Sequence, residues 1–194
     1  LYIRPLIFAS EQHIAVRAAM TYTFVIVAGP VEPYFASGRS KLRLKAEARY
    51  TRAASGGTGA AKTSGNYAGT LKPMAEAITE GFDQILWLDG QTHQYAEEAG
   101  QMNVFFRIGD EVITPELSGT ILPGVTRDSV IQLLSDWGYT VSTRQMSIQE
   151  LKSASDAGIL NEMFGAGTAA VIAPIQSITL HDEELSVNAP NRPE

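Results

Sequence analysis

Short apolar segments with the length of β-strands constrain the fold of this chain more than any other feature. Several of them are rich in β-branched and aromatic residues and are bounded by turn residues, which is typical of buried strands. Residues 42–52 instead alternate apolar and charged residues, as a half-exposed strand does. One pair of segments is joined by Gly109 and Asp110, a dipeptide that favours a hairpin turn. The predicted strands cover residues 1–9, 22–29, 42–52, 83–89, 102–108, 111–114 and 169–180.

Three other segments have the spacing of amphipathic helices, with apolar residues three and four positions apart. In the last of them, Ser147 and Glu150 have the spacing of a capping box, and Gly158 can end the helix. Because the predicted strands outnumber the helices and interleave with them, we expect a mixed α/β domain in the form of a distorted barrel. The predicted helices cover residues 66–81, 126–137 and 147–158.

The composition excludes several classes of function. The net charge is −6, so the chain offers no basic stripe for binding nucleic acid. The absence of cysteine excludes disulfides, thiolate metal sites and cysteine nucleophiles. The three histidines lie far apart in the sequence and predict no metal site. No run of about 18 apolar residues is present, so we expect no membrane span.

The two ends of the sequence predict that it is a piece of a longer protein. It begins with LYIRPLIFAS, which lacks a methionine and is strand-like from the first residue. It ends with NAPNRPE, which is polar and turn-like.

The glycine-rich stretch GGTGAAKTSGNYAG, residues 56–69, contains the lysine of greatest functional interest, Lys62. One hypothesis is a phosphate-binding P-loop, a motif of glycine, four residues and then Gly-Lys-Ser/Thr. Gly56 and Thr63 fit this frame. Ala61, however, replaces a glycine whose backbone freedom lets the loop curl around phosphate.

Two further considerations bear on the P-loop hypothesis. The apolar segment 85–88 is followed by Asp89, as in nucleotidases that bind magnesium, but apolar strands commonly end in aspartate. A lone lysine after a glycine-rich loop is also most often a solvated surface residue.

A second hypothesis is that Lys62 carries pyridoxal phosphate. Such a site requires an amine for the aldehyde, an anion against the pyridine nitrogen, donors for the phosphate and a partner for the ring hydroxyl. The stretch EEAGQMN, residues 97–103, offers Glu98 as the anion. Its ordinary explanation is a pair of exposed glutamates before a strand.

The stretch GTILPGVTRDSV, residues 119–130, offers a phosphate site. Gly124, Val125 and Thr126 fall at the beginning of a predicted helix, where backbone N–H groups are free and the helix dipole is positive. The ordinary explanation is that Thr126 is an N-cap.

The stretch FGAGTAAVIAPI, residues 164–175, offers a second anion site. Gly165 and Gly167 allow a close approach of the backbone, while Thr168 and Ala169 can present a hydroxyl and amides to a phosphate or a substrate carboxylate. The ordinary explanation is a tight turn before a core strand.

These stretches, in this order and at these spacings, resemble the branched-chain amino-acid aminotransferases, which are pyridoxal-phosphate enzymes of fold type IV. LYIRPLIFAS resembles the segment between the two domains of that family, and the resemblance extends from residue 1 to about residue 180. It implies that residues 1–194 are the large cofactor-binding domain of such an enzyme, without the smaller N-terminal domain and the C-terminal helix.

The resemblance also implies roles for individual residues. Lys62 binds the cofactor covalently and is the catalytic base, Tyr67 bonds the ring oxygen, and Glu98 binds the pyridine nitrogen. The phosphate side is assigned to Arg52, Leu122, Gly124, Val125, Thr126 and Thr168. The substrate side is assigned to Tyr2, Arg4, Tyr34, Gln101, Thr168 and Ala169, with Gln101 in place of the threonine of some members.

The function that the resemblance implies is transamination of branched-chain L-amino acids with 2-oxoglutarate. It implies a cytoplasmic homodimer with small-molecule substrates and no nucleic-acid or membrane partner. Three alternatives stay open at this point. They are another fold type IV enzyme, such as a D-amino-acid aminotransferase or an aminodeoxychorismate lyase, a nucleotide-binding module, and an inactive fragment.

Overall fold

The computed structural model describes residues 1–30, 41–169 and 171–187. The chain divides into two compact units, Leu1–Ala36 and Ser37–Glu194. Tyr34, a predicted substrate-side residue, lies outside the described residues.

The first unit contains an antiparallel pair of strands, β1 (Tyr2–Ala9) and β2 (Tyr22–Gly29), which confirms the predicted bounds to within one residue. The expectation that these strands are buried is wrong, because most of their residues are exposed in this pair of strands. The strands pair over their whole length, with Tyr2 opposite Gly29. The Arg4 guanidinium donates a hydrogen bond to the Tyr2 hydroxyl and lies 5.0 Å from the centroid of its ring. Two of the predicted substrate-side residues therefore contact each other.

The second unit contains the remaining elements. Its helices within the described residues are α1 (Ser64–Ala68), α2 (Leu71–Thr79), α3 (Val125–Asp136) and α4 (Ile148–Asp156). Its strands there are β3 (Leu42–Glu47), β4 (Gln84–Leu88), β5 (Ala96–Ala99), β6 (Met102–Ile108), β7 (Glu111–Thr114), β8 (Thr140–Thr143), β9 (Leu160–Gly167), β10 (Val171–Leu180) and β11 (Glu183–Ser186).

Six strands of the second unit pair in a closed ring, in the order β3, β4, β5, β6, β9, β10 and back to β3. The β3–β4 and β3–β10 pairs are parallel and the other four are antiparallel. Strands β7, β8 and β11 extend the sheet beyond the ring. This closed sheet confirms the predicted mixed α/β fold with a distorted barrel.

Aromatic and aliphatic side chains fill the core of this unit. Phe105 and Phe164, from the paired strands β6 and β9, stack with their ring centroids 4.9 Å apart. Trp87 on β4 is buried against Ala77 of α2, and its indole N–H donates to the Gly100 carbonyl at 3.2 Å. This hydrogen bond ties the turn after β5 to the core of the barrel.

Local signals in the sequence predicted several elements correctly. The β6–β7 hairpin turns at Gly109, whose φ of 56° is in the left-handed region. The Ser147 hydroxyl accepts from the Glu150 N–H at 3.0 Å and caps α4, and Gly158 follows the helix with a φ of 74°. None of the helices formed by the described residues is long and apolar enough to cross a membrane.

Other boundaries were predicted wrongly. β3 ends at Glu47 instead of residue 52, because the Glu47 carboxylate accepts from the N–H groups of Arg49 and Tyr50 and turns the chain. The predicted helix 66–81 is two helices, separated after Gly69. The strands β5, β8, β9 and β11 were not predicted, because three are only four residues long and β9 has no regular alternation.

Asp89 organises the connection from β4 to β5. Its carboxylate accepts from the backbone N–H groups of Thr92 at 2.7 Å, Gln94 at 2.8 Å and Tyr95 at 2.9 Å. Burial raises the pKa of Asp89, but these hydrogen bonds and that from the Thr92 hydroxyl outweigh it and lower the pKa to about 2. The ionised carboxylate therefore stabilises the fold.

We expect Asp89→Asn to lower the free energy of unfolding at pH 7 by about 1–2 kcal/mol, because the amide accepts fewer of these hydrogen bonds. The contribution of the carboxylate is present above its unfolded pKa near 3.8 and is lost as the pH falls toward 2. Urea unfolding, followed by tryptophan fluorescence, should show the difference between the two proteins shrinking from pH 5 to pH 3.

The matched control is Asp156→Asn, which removes an exposed carboxylate at the end of α4. We expect it to change stability by less than about 0.5 kcal/mol. A pH-independent loss in Asp89→Asn would contradict the role assigned to the Asp89 charge.

Candidate active site

Lys62 and Tyr67 lie together at the end of the glycine-rich stretch. The Lys62 side chain is exposed, and its Nζ lies 5.2 Å from the centroid of the Tyr67 ring. Tyr67 belongs to α1, the short helix that begins two residues after Lys62. The helix therefore holds the phenol beside the amine, as the prediction of a shared site requires.

Asn66 clamps the loop that leads to Lys62, and the sequence analysis missed it. Its side chain is buried, with 5% exposure. The amide donates to the carbonyls of Thr58 at 2.7 Å and Ala61 at 2.9 Å, and it accepts from the Thr58 hydroxyl at 2.7 Å. The tendency of asparagine to bond nearby backbone groups is the signal that could have identified it.

The P-loop hypothesis is not favoured by this loop. The N–H of Gly57 donates to Ala54, that of Ala60 to Gly119 and that of Ala61 to Thr58. These amides are therefore not free to surround a phosphate. Asp89, the candidate magnesium ligand, is occupied by the turn that follows it.

Glu98 is a buried carboxylate on β5, with 4% exposure. Its Oε1 accepts from the Leu122 N–H at 2.7 Å, and its Oε2 lies 3.4 Å from Arg52 Nε. The ordinary explanation, a pair of exposed glutamates, is wrong, because Glu97 is also buried. An ionisable group is retained in this interior only with partners that offset its desolvation.

The pKa of Glu98 depends on its burial and on several neighbouring charges, including that of Lys62. The pKa of Glu98 is raised to about 7, mainly by burial and also by the neighbouring Glu97. The charge of Arg52, the hydrogen bond from Leu122 and the charge of Lys62 act in the opposite direction. Lys62 is thus one of the charged groups that act on the carboxyl of Glu98.

Leu122 is held through its backbone. Its N–H donates to Glu98, and its carbonyl accepts from the Asn103 amide at 2.9 Å. Glu98 and Asn103 are direct partners in the β5–β6 pair, so one pair of strands holds both ends of this residue. A Cβ on Gly124 would collide with the Asn103 amide oxygen, so the Asn103 side chain would have to move to accommodate it.

The amino terminus of α3 follows directly. The helix begins at Val125, and its N-cap is Gly124, which has no side chain. Among the residues that the structure describes, no side chain caps the first N–H groups of this helix. Such groups bind phosphate and similar anions well. The explanation of Thr126 as the N-cap is wrong, since Thr126 lies inside the first turn.

Arg52 was predicted to support the phosphate region. The structure places it beside Glu98, and its guanidinium also donates to the Thr120 carbonyl. Its side chain is 5% exposed. Arg52 therefore connects Glu98 to the segment that precedes α3.

Gln101, Thr168 and Ala169 form a second group of predicted residues. The register of β6 and β9 pairs Asn103 with Ala166, so the turn before β6 lies beside the turn after β9. A Cβ on Gly167 would lie 3.7 Å from the Gln101 carbonyl oxygen. Tyr2 and Arg4 belong to the first unit.

Comparison with known proteins gives a consistent result. A model of the amino-transferase class IV family matches residues 1–178. Branched-chain-amino-acid aminotransferase 2 of Bacillus subtilis (strain 168) is 49% identical over 188 residues, which cover 97% of this chain and 52% of the relative. The chain therefore spans about half the length of the curated relatives it matches.

Solved structures agree with the sequence comparison. The branched-chain amino-acid aminotransferase of Escherichia coli superposes with a TM-score of 0.78 at 30% identity, covering 91% of this chain and 57% of that protein. The enzyme of Thermobaculum terrenum, solved in its PLP (holo) form, superposes with a TM-score of 0.76 at 27% identity. The superposition covers 91% of this chain and 55% of that protein.

We expect Gly59→Ala to destabilise the protein by about 1–3 kcal/mol, because a methyl group there overpacks the loop. It would collide with the Thr120 carbonyl oxygen and lie 2.7 Å from the Ala53 methyl group. Gly65→Ala is the control, since a Cβ at Gly65 meets no atom within 4 Å. Thermal unfolding of both variants measures the difference, and equal midpoints would contradict the packing of the loop on Thr120.

Glu98→Gln tests the raised pKa of Glu98. Because that pKa is about 7 in the folded protein and near 4.5 when unfolded, the folded state retains a proton that the unfolded chain releases. The stability from this proton is fully present below pH 4.5 and is lost as the pH rises through 7. The wild type should therefore lose about 3 kcal/mol relative to Glu98→Gln across this range.

Urea unfolding of the cofactor-free wild type and of Glu98→Gln between pH 4.5 and pH 8 measures this loss. Glutamine keeps an acceptor for the Leu122 N–H but does not titrate, so other pH effects cancel in the comparison. Parallel stability curves would show that Glu98 ionises normally.

Proposed function

Because this chain belongs to the amino-transferase class IV family, we propose that it carries the cofactor site of a pyridoxal-phosphate-dependent branched-chain amino-acid aminotransferase. The observation that carries the proposal is the buried Glu98 carboxylate, on which the charge of Lys62 acts. A buried acid on which the charge of an exposed lysine acts is what a pyridine ring attached to that lysine requires.

The groups around this carboxylate fit the other parts of the cofactor. Lys62 supplies the amine, and Tyr67, beside it, supplies a hydroxyl for the ring oxygen. The uncapped amino terminus of α3, with Val125 and Thr126, supplies donors for the phosphate. Leu122 and Gly124 hold that terminus against β5 and β6.

Pyridoxal phosphate, when bound, supplies an electron-accepting ring that makes the α-proton of an amino acid acidic. Glu98 would hold the ring nitrogen, because a cationic partner there would favour the carboxylate form of Glu98 over its protonated form. Lys62 Nζ would act as the base that accepts the α-proton and as the acid that gives the same proton back to the substrate–cofactor carbon skeleton, and the exposure of its side chain leaves room for this movement. Tyr67 orients the amine by contact with its ring.

The proposed substrates are branched-chain L-amino acids and 2-oxoglutarate. Support comes from the relatives, since proteins 46–49% identical to this chain are named branched-chain aminotransferases. The group of Gln101, Thr168 and Ala169 supplies amides and a hydroxyl for a carboxylate. Tyr2, Arg4 and Tyr34 are further candidates on the substrate side. A cytoplasmic homodimer is part of the proposal and rests on the resemblance.

The experiment that tests the proposal is labelling of Lys62. With added pyridoxal phosphate, the full chain should gain a visible absorption band, and borohydride followed by peptide mapping should place the label on Lys62. Lys62→Ala should lose the band and the turnover of L-leucine. Lys72→Ala, which removes an exposed lysine on α2, should retain both.

Turnover in Lys62→Ala, or a label on another lysine, would overturn the proposal. Assays with D-alanine and aminodeoxychorismate distinguish the other fold type IV enzymes. Preference for either over L-leucine would keep the cofactor site and change the substrate class.

A further inference from the structure

Glu97 is a buried carboxylate for which the proposed reaction has no use. It precedes Glu98 on β5 and is 6% exposed. Its Oε1 accepts from the Thr120 hydroxyl, while no donor within the described part of the chain reaches its Oε2. Burial raises the pKa of Glu97, so its retention in the interior is costly and calls for a specific contact.

Thr120, the partner of Glu97, is a point where several contacts meet. Its hydroxyl also hydrogen-bonds the Ser118 hydroxyl at 2.7 Å. Its carbonyl accepts from the Arg52 guanidinium, and the backbone of Gly59 packs directly against it. The side chain of Thr120 is thus held on the Glu97 side, and its carbonyl is turned toward Arg52 and the glycine-rich loop.

Gly119, which precedes Thr120, also contacts the glycine-rich loop. The Gly119 carbonyl accepts from the Ala60 N–H at 3.0 Å, two residues before Lys62. The segment 119–120 therefore supports the loop of Lys62 and the guanidinium of Arg52 together.

A chain of contacts through Thr120 and Arg52 connects Glu97 to Glu98. Consecutive residues of a strand point to opposite faces, so the two glutamates do not share a face of β5. The contacts run from Glu97 to the Thr120 hydroxyl, from the Thr120 carbonyl to Arg52, and from Arg52 Nε to Glu98 Oε2 at 3.4 Å.

We propose that Glu97 is a positioning residue, which fixes Thr120 through its hydroxyl so that Arg52 remains beside Glu98 and the loop of Lys62 remains docked. The proposal rests on the proposed function in one respect, namely that Glu98 is the carboxylate that meets the cofactor ring. The position of Arg52 is independent of that function and can be measured without cofactor.

The measurement is the pKa of Glu98 by ¹³C-carboxyl NMR titration of the cofactor-free full chain, with the signal assigned by its loss in Glu98→Gln. The charged groups that act on Glu98 are Arg52, Glu97 and Lys62. Thr120→Val removes the hydroxyl without changing any charge. It should release Arg52 and raise the pKa of Glu98 by about one unit.

Thr120→Ser is the matched control, because it keeps the hydroxyl and should leave the pKa at the wild-type value. Glu97→Gln keeps an acceptor for Thr120 and removes a charge that raises the pKa of Glu98, so the pKa should fall. In a Glu97→Leu background the upward shift from Thr120→Val should disappear, because the hydroxyl has lost its partner.

Thr120→Ala is the second variant without the hydroxyl, in case the valine protein does not fold. An unchanged Glu98 pKa in the variants that lack the hydroxyl, or an equal shift in Thr120→Ser, overturns the proposal.

In the holoenzyme, Thr120→Val should lower kcat on the order of tenfold, with Thr120→Ser near wild type. If pyridoxal phosphate labels Lys62 but the pKa of Glu98 is unchanged in the variants without the Thr120 hydroxyl, only the positioning role of Glu97 fails. If Lys62 is not labelled but the pKa of Glu98 rises in those variants, only the proposed function fails.

Discussion

The burial of the Glu98 carboxylate is the constraint on which the rest of the site depends. A carboxyl group with 4% exposure loses nearly all its hydration, and this raises its pKa to about 7. The interior tolerates it because the Leu122 N–H and the Arg52 guanidinium are held within reach. Each of these two groups is held in place by a further hydrogen bond, from Asn103 to the Leu122 carbonyl and from Arg52 to the Thr120 carbonyl. These bonds fix the positions of the segments around Glu98.

The segment from Gly119 to Gly124 provides most of that support. The Gly119 carbonyl accepts a hydrogen bond from Ala60 of the glycine-rich loop, and the Thr120 carbonyl accepts one from Arg52. The N–H and carbonyl of Leu122 bond Glu98 and Asn103, respectively. The segment then ends at the uncapped start of α3. This irregular segment thus contacts the glycine-rich loop, Arg52, Glu98 and the start of α3.

Features that depend on near neighbours could be predicted from the sequence. The β6–β7 hairpin follows from its turn at Gly109, and the start of α4 follows from Ser147 and Glu150. The motif around Lys62 was identified from its glycines and its order relative to the other stretches. Features that depend on distant partners were missed, such as the pairing of β9 with both β6 and β10 that closes the barrel.

The sequence alone determined which chemical groups are present: one lysine in a glycine-rich loop, two adjacent glutamates and a helix that begins after a glycine. It did not predict β5, the strand in which Glu97 and Glu98, as consecutive residues, point to opposite faces. Only the tertiary structure decided which of them faces Arg52 Nε and which bonds Thr120. The physical reason is that burial, and the partners that offset it, come from segments more than 20 residues away along the chain, and their positions are set by barrel closure.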